Sequence, residues 1–303
     1  MRALRGALAK SGFTEPALRE RITTLLAHPI NATRYYPRGF PGHDTPLDDL
    51  IRLLMIGAEV PTDCIERTLD REALHTLIDT QLVSHTGSQL RANVTISLWH
   101  ELLFVSDRED RLTRVDYVMP PEEPAVWLLE VITKHAPAEP KRVLDIGAGC
   151  GTLALLAART ARDVVGIDSN PRAVEFARFN AALNGLSNCT FTHMRAQEVE
   201  PSGALFGRIT FNCPGLYEVG CLQPEAFSCA DGDDLLRAVY GVLPRLLEVD
   251  GMALLRHELP TEVGYLHRLL AQPTLRISTT KQPHYAGLRE LHTLCAVVTR
   301  GLG

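Results

Sequence analysis

Two aspartates and a run of alternating glycines carry the most chemistry in this sequence. The stretch Val143 to Thr152 reads Val-Leu-Asp-Ile-Gly-Ala-Gly-Cys-Gly-Thr, with Asp145 at the end of an apolar run and glycines at Gly147, Gly149 and Gly151. A helix-forming segment, 153–162, follows at once. Together these predict a buried strand, a tight turn and a helix, where backbone without side chains passes close to a ligand. The helix N-terminus is expected to offer unpaired N–H groups to a polar ligand tail. Asp168 closes a second apolar run, 163–168. It stands about 20 residues past the turn, the separation at which a carboxylate meets ribose hydroxyls. A dinucleotide fingerprint needs Gly-x-Gly-x-x-Gly. Counted from Gly147, its third glycine position holds Thr152, so that pattern fails.

Two further groups sit at the ends of expected strands. Asn212-Cys213-Pro214-Gly215 ends a strand over 208–211, and His257-Glu258 lie just past a strand over 252–255. The carboxyl ends of parallel strands are where such sheets bind and react. His257 and Glu258 are the best-placed titratable pair there, candidates for removing a proton. The seven cysteines are odd in number and contain no Cys-x-x-Cys pair, so reduced thiols are expected. Cys213, Cys221 and Cys229 are evenly spaced, but zinc ligands come in closer pairs, and no metal is expected.

The form Asp145-x-Gly147-x-Gly149-x-Gly151 resembles the first motif of the class I S-adenosylmethionine-dependent methyltransferases. That resemblance implies that Asp145 orients the methionine ammonium, that Gly147, Gly149 and Gly151 admit the methionine moiety, and that Asp168, with Ser169 beside it, holds the ribose. The family usually has an acid for the adenine amino group after the third strand, expected here over 190–194. This chain has Arg195-Ala196-Gln197-Glu198. Arginine cannot accept that bond, so Ala196 and Gln197 are the expected adenine contacts. Asn212 and Pro214 resemble the Asn/Asp-Pro-Pro-Tyr/Phe motif, whose Asn oxygen and following carbonyl accept from a target NH2. Cys213 and Gly215 depart from it, and Tyr217 is the candidate to replace the lost ring. Tyr117, ahead of the first motif, is the expected cofactor lid, with Met119 beside it. Asn212 is expected to border both cofactor and acceptor.

The elements that must position these residues fall into two units, 1–112 and 113–303. In the second, strand and helix alternate, which argues for a parallel sheet with helices on both faces. The resemblance implies a Rossmann-like, seven-stranded, mostly parallel sheet, closed by strands over 275–280 and 291–299. Asn170 caps a helix that starts at Pro171 and stops at Gly185. In the first unit, helices are expected over 15–27, 47–56, 61–69 and 70–80. A hairpin follows around Thr86-Gly87-Ser88, and the chain continues as a strand over 99–105. Helices before a hairpin resemble a winged-helix module. Its recognition-type helix, 70–80, is acidic on balance with one arginine, and phosphate contacts need basic side chains. The module is therefore expected to cover the site or pair two chains into a homodimer.

Net charge is −5, with no visible basic run, which argues against a nucleic-acid partner. No apolar stretch approaches the roughly 18 residues that span a bilayer. Residues 1–5 lack the apolar core of a signal peptide, so a cytoplasmic enzyme without a membrane partner is expected. The main expectation is methyl transfer from S-adenosylmethionine to nitrogen or oxygen of a small molecule in biosynthesis. Two alternatives stand beside it. One is aminocarboxypropyl transfer or cyclisation that releases methylthioadenosine; the other is N-methylation of protein or RNA.

Overall fold

The computed structural model describes residues 2–22, 45–111, 113–121, 123–135, 140–200, 205–213, 232–259, 275–286 and 289–300. They fall into two compact units. The first comprises 1–112, 117–123 and 179–187, and the second 113–116, 124–178 and 188–303.

The first unit opens with helices α1 (Arg2–Lys10) and α2 (Glu15–Ile22), the former unanticipated in the sequence. Helix α3 (Pro46–Leu50) carries a full capping box. Asp48 N–H donates to the Thr45 hydroxyl at 3.2 Å, and Thr45 N–H donates to the Asp48 carboxylate at 3.1 Å. The helix then widens into a π-helical stretch, Ile51–Ile56, closed by left-handed Gly57. Next come β1 (Val60–Pro61), α4 (Thr62–Thr68) and α5 (Arg71–Asp79), the last capped by Asp70. The expected hairpin forms as β2 (Val83–Thr86) and β3 (Gln89–Ala92), in a sheet ordered β1-β3-β2.

The strand expected over 99–105 is instead split by a turn. Strand β4 (Thr95–Trp99) pairs with β5 (Leu102–Ser106) as a separate antiparallel hairpin. Its turn residues His100 and Glu101 are left-handed, φ 48 and 62, a geometry that two-residue hairpins favour. Without Gly or Asn there, the sequence carried no sign of it. Every residue of both strands is buried.

In the second unit, α6 (Glu123–His135) precedes β6 (Arg142–Ile146), α7 (Thr152–Ala157), β7 (Asp163–Asp168), α8 (Pro171–Asn184) and β8 (Cys189–His193). Then follow β9 (Phe206–Asn212), α9 (Gly232–Leu246), β10 (Leu247–Leu259), β11 (Leu275–Ala286) and β12 (Arg289–Arg300). The sheet has seven strands, as the resemblance implied, in the order β11-β12-β10-β9-β6-β7-β8. All neighbours from β10 to β8 are parallel, and β12 runs antiparallel to both β10 and β11. The middle strands are nearly continuous apolar runs because both of their faces are covered.

Strand β10 departs most from expectation. Asp250-Gly251 does not precede the strand but forms a bulge inside it. Asp250 is left-handed at φ 63, and the register jumps from Leu247 opposite Phe206 to Met252 opposite Arg208. A Cβ on Gly251 would lie 2.8 Å from the Glu248 carbonyl oxygen, which restricts this position to glycine. The strand also runs on to Leu259, so His257 and Glu258 lie within it, opposite Leu294 and Thr293 of β12. The expected helix over 261–270 lies outside the described residues.

Candidate functional site

The turn after β6 is built by the three glycines, left-handed at φ 67, 57 and 91 for Gly147, Gly149 and Gly151. A side chain strains such a backbone, and on Gly151 its Cβ would also come within 3.3 Å of Ala177. On Gly149 it would meet open space, so the turn borders an open edge. Asp168, at the end of the neighbouring strand, fixes this turn. One carboxylate oxygen accepts from Gly149 N–H at 2.8 Å, and the other from Asn170 N–H at 2.8 Å. Burial pushes the Asp168 carboxyl up, while those two N–H donors oppose the shift. Asn170 in turn caps α8, its side-chain oxygen accepting from Arg172 N–H at 3.0 Å. Asn170 and Arg172 side chains both donate to the Asp116 carbonyl, each at 3.0 Å, which ties segment 113–116 to the start of α8.

Asp145 is only 2% exposed, at the end of β6. Thr210 of β9 donates its hydroxyl to one oxygen at 2.7 Å, and Ala154 N–H donates to the other at 3.1 Å. Burial dominates and pushes the carboxyl up to about 7. Arg208, also buried on β9, acts in the opposite direction on Asp145.

Asn212 ends β9 one register step beyond the pair Ile146 and Phe211, and so lies level with the glycine turn. Its side-chain Oδ1 is buried and has no hydrogen-bond partner among the described residues. A buried acceptor left empty costs about 1–3 kcal/mol. The next residue, Cys213, is engaged twice by Arg256 of β10. Cys213 N–H donates to the Arg256 carbonyl at 2.9 Å, and Arg256 Nη1 donates to the Cys213 carbonyl at 3.1 Å.

Ser169 follows Asp168, and its carbonyl lies 3.0 Å from His193 Nε2 on β8. His193 was not foreseen, because a lone histidine inside a strand carries no motif. Ala196 and Gln197 fall in a single turn, Ala196–Glu198, whose Glu198 carboxylate accepts from Arg195 N–H at 2.9 Å. Ala196 is buried. Asp145, Gly147, Gly149, Gly151, Asp168, Ser169 and Asn212 thus gather at the carboxyl ends of adjoining strands. Tyr117 is buried and grouped with the first unit, next to Val118, which pairs with Asp107. His257 and Glu258 are placed by backbone alone. Tyr217, Pro214 and Gly215 lie outside the described residues. No group of three or more metal-ligating side chains occurs among the described residues.

Residues 138–251 match a family model described as a methyltransferase domain. Over these residues the chain is similar to the S-adenosylmethionine-dependent methyltransferases. It is 51% identical over 57 residues to a 23S rRNA (uracil-C5)-methyltransferase of Klebsiella pneumoniae, spanning 19% of this chain and 13% of that protein. It is 29% identical over 157 residues to a ubiquinone biosynthesis O-methyltransferase of Neisseria meningitidis, spanning 52% of this chain and 60% of that protein. The chain spans only 13–14% of the length of the first several curated relatives it matches. Its fold is like that of Trm5b from Pyrococcus abyssi, with a TM-score of 0.51 at 15% identity over 73% of this chain and 62% of that one.

The site fits S-adenosylmethionine, the methyltransferase cofactor. Asp168 places a half-buried carboxylate at one strand end, the glycine turn borders open space, and Asp145 is a buried acid at the neighbouring strand end. Asn212 offers an empty acceptor beside the turn. No helix among the described residues is long and apolar enough to cross a membrane. The expectation against a nucleic-acid partner is weakened by the relative that acts on rRNA.

Proposed function

We propose that this protein transfers the methyl group of S-adenosylmethionine to nitrogen or oxygen of a small molecule. The observation that carries this reading is the empty, buried Asn212 Oδ1 level with the glycine turn. The cofactor supplies a sulfonium that already activates its methyl group. What remains for the chain is to hold the acceptor in line, a contribution that can reach about 7–11 kcal/mol. Asp168 would fix the ribose, the glycine turn would admit the methionine moiety, and Asp145 would orient its ammonium. Asn212 Oδ1 would orient the nucleophile by accepting a hydrogen bond from it. For a hydroxyl acceptor, His257 or Glu258 on β10 would take the proton. The first unit would cover the site or pair two chains, and Tyr117 would contribute to that cover. The relative named for ubiquinone biosynthesis, which matches over half of this chain, supports a small acceptor.

RNA is the second reading, favoured by the relatives named for rRNA and tRNA uracil methylation. Mass spectrometry of the protein with S-adenosylmethionine decides between them, comparing cofactor alone, added metabolite extract and added unmodified RNA. S-adenosylhomocysteine formed only with metabolites supports the proposal. Formation only with RNA moves the function to the second reading. Methylthioadenosine in place of S-adenosylhomocysteine would refute methyl transfer altogether.

A further inference from the structure

Resting on the methyl-transfer reading, we propose that Arg256 is a specificity-determining residue. It holds the Cys213 carbonyl away from the reaction edge. The site therefore takes an acceptor with a single hydrogen on its nucleophilic atom, a hydroxyl or a secondary or ring nitrogen, and not a planar NH2 group.

The geometry begins with the strand order. Strand β9 has β6 on one flank and β10 on the other, and the glycine turn belongs to the β6 flank. Both main-chain polar groups of Cys213 meet Arg256, the N–H through the Arg256 carbonyl and the carbonyl through Arg256 Nη1. The Cys213 carbonyl therefore aims at the β10 flank. Proline in the position of Cys213 would have no N–H and could not make this rung. The departure from the Asn-Pro-Pro pattern at Cys213 and the arginine at 256 are thus parts of one arrangement. Cys213 and Arg256 are 3% and 4% exposed, and a charge-assisted bond between such buried groups resists breaking.

Holding an NH2 group for in-line attack takes two acceptors, one for each N–H. At this edge Asn212 Oδ1 is an acceptor without a partner, and the main-chain carbonyl that follows it is turned to Arg256. One acceptor suffices for a nucleophile with one hydrogen. In the transfer, the acceptor's lone pair forms the new bond to the methyl carbon. The carbon–sulfur bond breaks with its electron pair going to sulfur, and the single hydrogen leaves as a proton, to His257 or Glu258 from a hydroxyl and to water from a nitrogen.

The test uses the full chain, S-adenosylmethionine with a deuterated methyl group and a fractionated metabolite extract. Product structure is read by mass spectrometry and NMR. The proposal expects the label on a hydroxyl oxygen or on a nitrogen that carried one hydrogen. Label on a primary amine, a primary amide or carbon overturns it while leaving methyl transfer intact. Absence of both labelled product and S-adenosylhomocysteine, with metabolites and with RNA, overturns the underlying reading instead. With the acceptor identified, Arg256→Met should raise the turnover of its primary-amine analogue relative to the native acceptor about tenfold, the worth of roughly one hydrogen bond. The dissociation constant for S-adenosylhomocysteine should stay unchanged, and Arg256→Lys should keep the native preference. An unchanged preference in a folded Arg256→Met overturns the assignment. Should that variant not fold, the wild-type product chemistry decides alone.

Discussion

Thr210 donates its hydroxyl to Asp145 Oδ1 at 2.7 Å, from the strand that flanks β6. With Ala154 N–H it compensates only part of the burial of that carboxyl, whose pKa is pushed up to about 7 against an ordinary 3.8. The folded state then binds a proton that the unfolded state has lost over that interval. Stability of the cofactor-free protein from this group is therefore greatest below the unfolded value and declines as pH rises toward 7. Thermal melts should show that decline in the wild type and a flatter profile in Asp145→Asn. A cationic ammonium beside Asp145 favours its ionised form, so affinity for S-adenosylmethionine should rise as pH passes upward through 7. Titration calorimetry a unit either side of that value checks it. Affinity independent of pH would remove Asp145 from the cofactor contacts.

Asp168 carries two tasks at once, since its oxygens already accept from Gly149 and Asn170 at 2.8 Å each. Replacement by Ala should loosen the turn and remove the ribose acceptor, weakening cofactor binding by about a hundredfold or more, as expected for two charge-assisted hydrogen bonds. Asp168→Asn keeps one acceptor oxygen and should fall between. Equilibrium binding of S-adenosylhomocysteine measures both. Equal affinity in wild type and Asp168→Ala would displace the cofactor from this edge.

Asn180 and Asn184 act as a false strand against β5. Asn180 accepts from Val105 N–H at 2.8 Å and donates to the Val105 carbonyl at 2.9 Å. Asn184 does the same to Leu103, at 2.9 and 2.7 Å. One helical turn separates the two asparagines and two strand residues separate their targets, so the spacings nearly coincide. Leu103 and Val105 are the positions of β5 whose polar groups face away from β4. Truncating either asparagine to Ala strands a buried N–H and a buried carbonyl, at a cost of about 1–3 kcal/mol for each group. Denaturant midpoints of Asn180→Ala and Asn184→Ala should both drop. The double variant should lose less than the sum if the two share the strand.

These asparagines also show where the sequence stops being informative. The glycine turn, Asp168 and the Asn170 cap were legible because each is local, set by backbone conformation within a few residues. Asn180 looks like an ordinary helix position, and its partner lies 75 residues away in sequence. The Arg256 contact with Cys213 spans 43 residues and replaces a motif rather than forming one. The bulge in β10 was read as a turn because Asp-Gly signals either, and only its pairing with β9 tells them apart. Within the candidate site, the placement of Asp145, Asp168 and the glycine turn at neighbouring strand ends was legible from spacing. The direction of the Cys213 carbonyl was not, because it is set by an arginine on another strand.

The hairpin turn at His100 and Glu101 is left-handed without glycine, a conformation that costs about 1–2 kcal/mol per residue. Helix side chains hold it. Glu15 accepts from Glu101 N–H at 3.0 Å, and Arg5 donates to the Glu101 carbonyl at 3.0 Å. Burial pushes the Glu15 carboxyl up, but the bonds from Arg19 and from Glu101 N–H outweigh it and leave the carboxyl below its ordinary value. A lowered acid contributes stability above its unfolded pKa and loses it as pH falls through the folded one. Glu15→Gln should therefore destabilise the protein at neutral pH and remove part of its acid sensitivity. Glu101→Gly should act oppositely at neutral pH, because it relieves the strained backbone while keeping both main-chain bonds. Thermal melts of the two variants at neutral and at acidic pH read both effects. A Glu101→Gly variant less stable than wild type would show that its side chain, and not the held backbone, secures the turn.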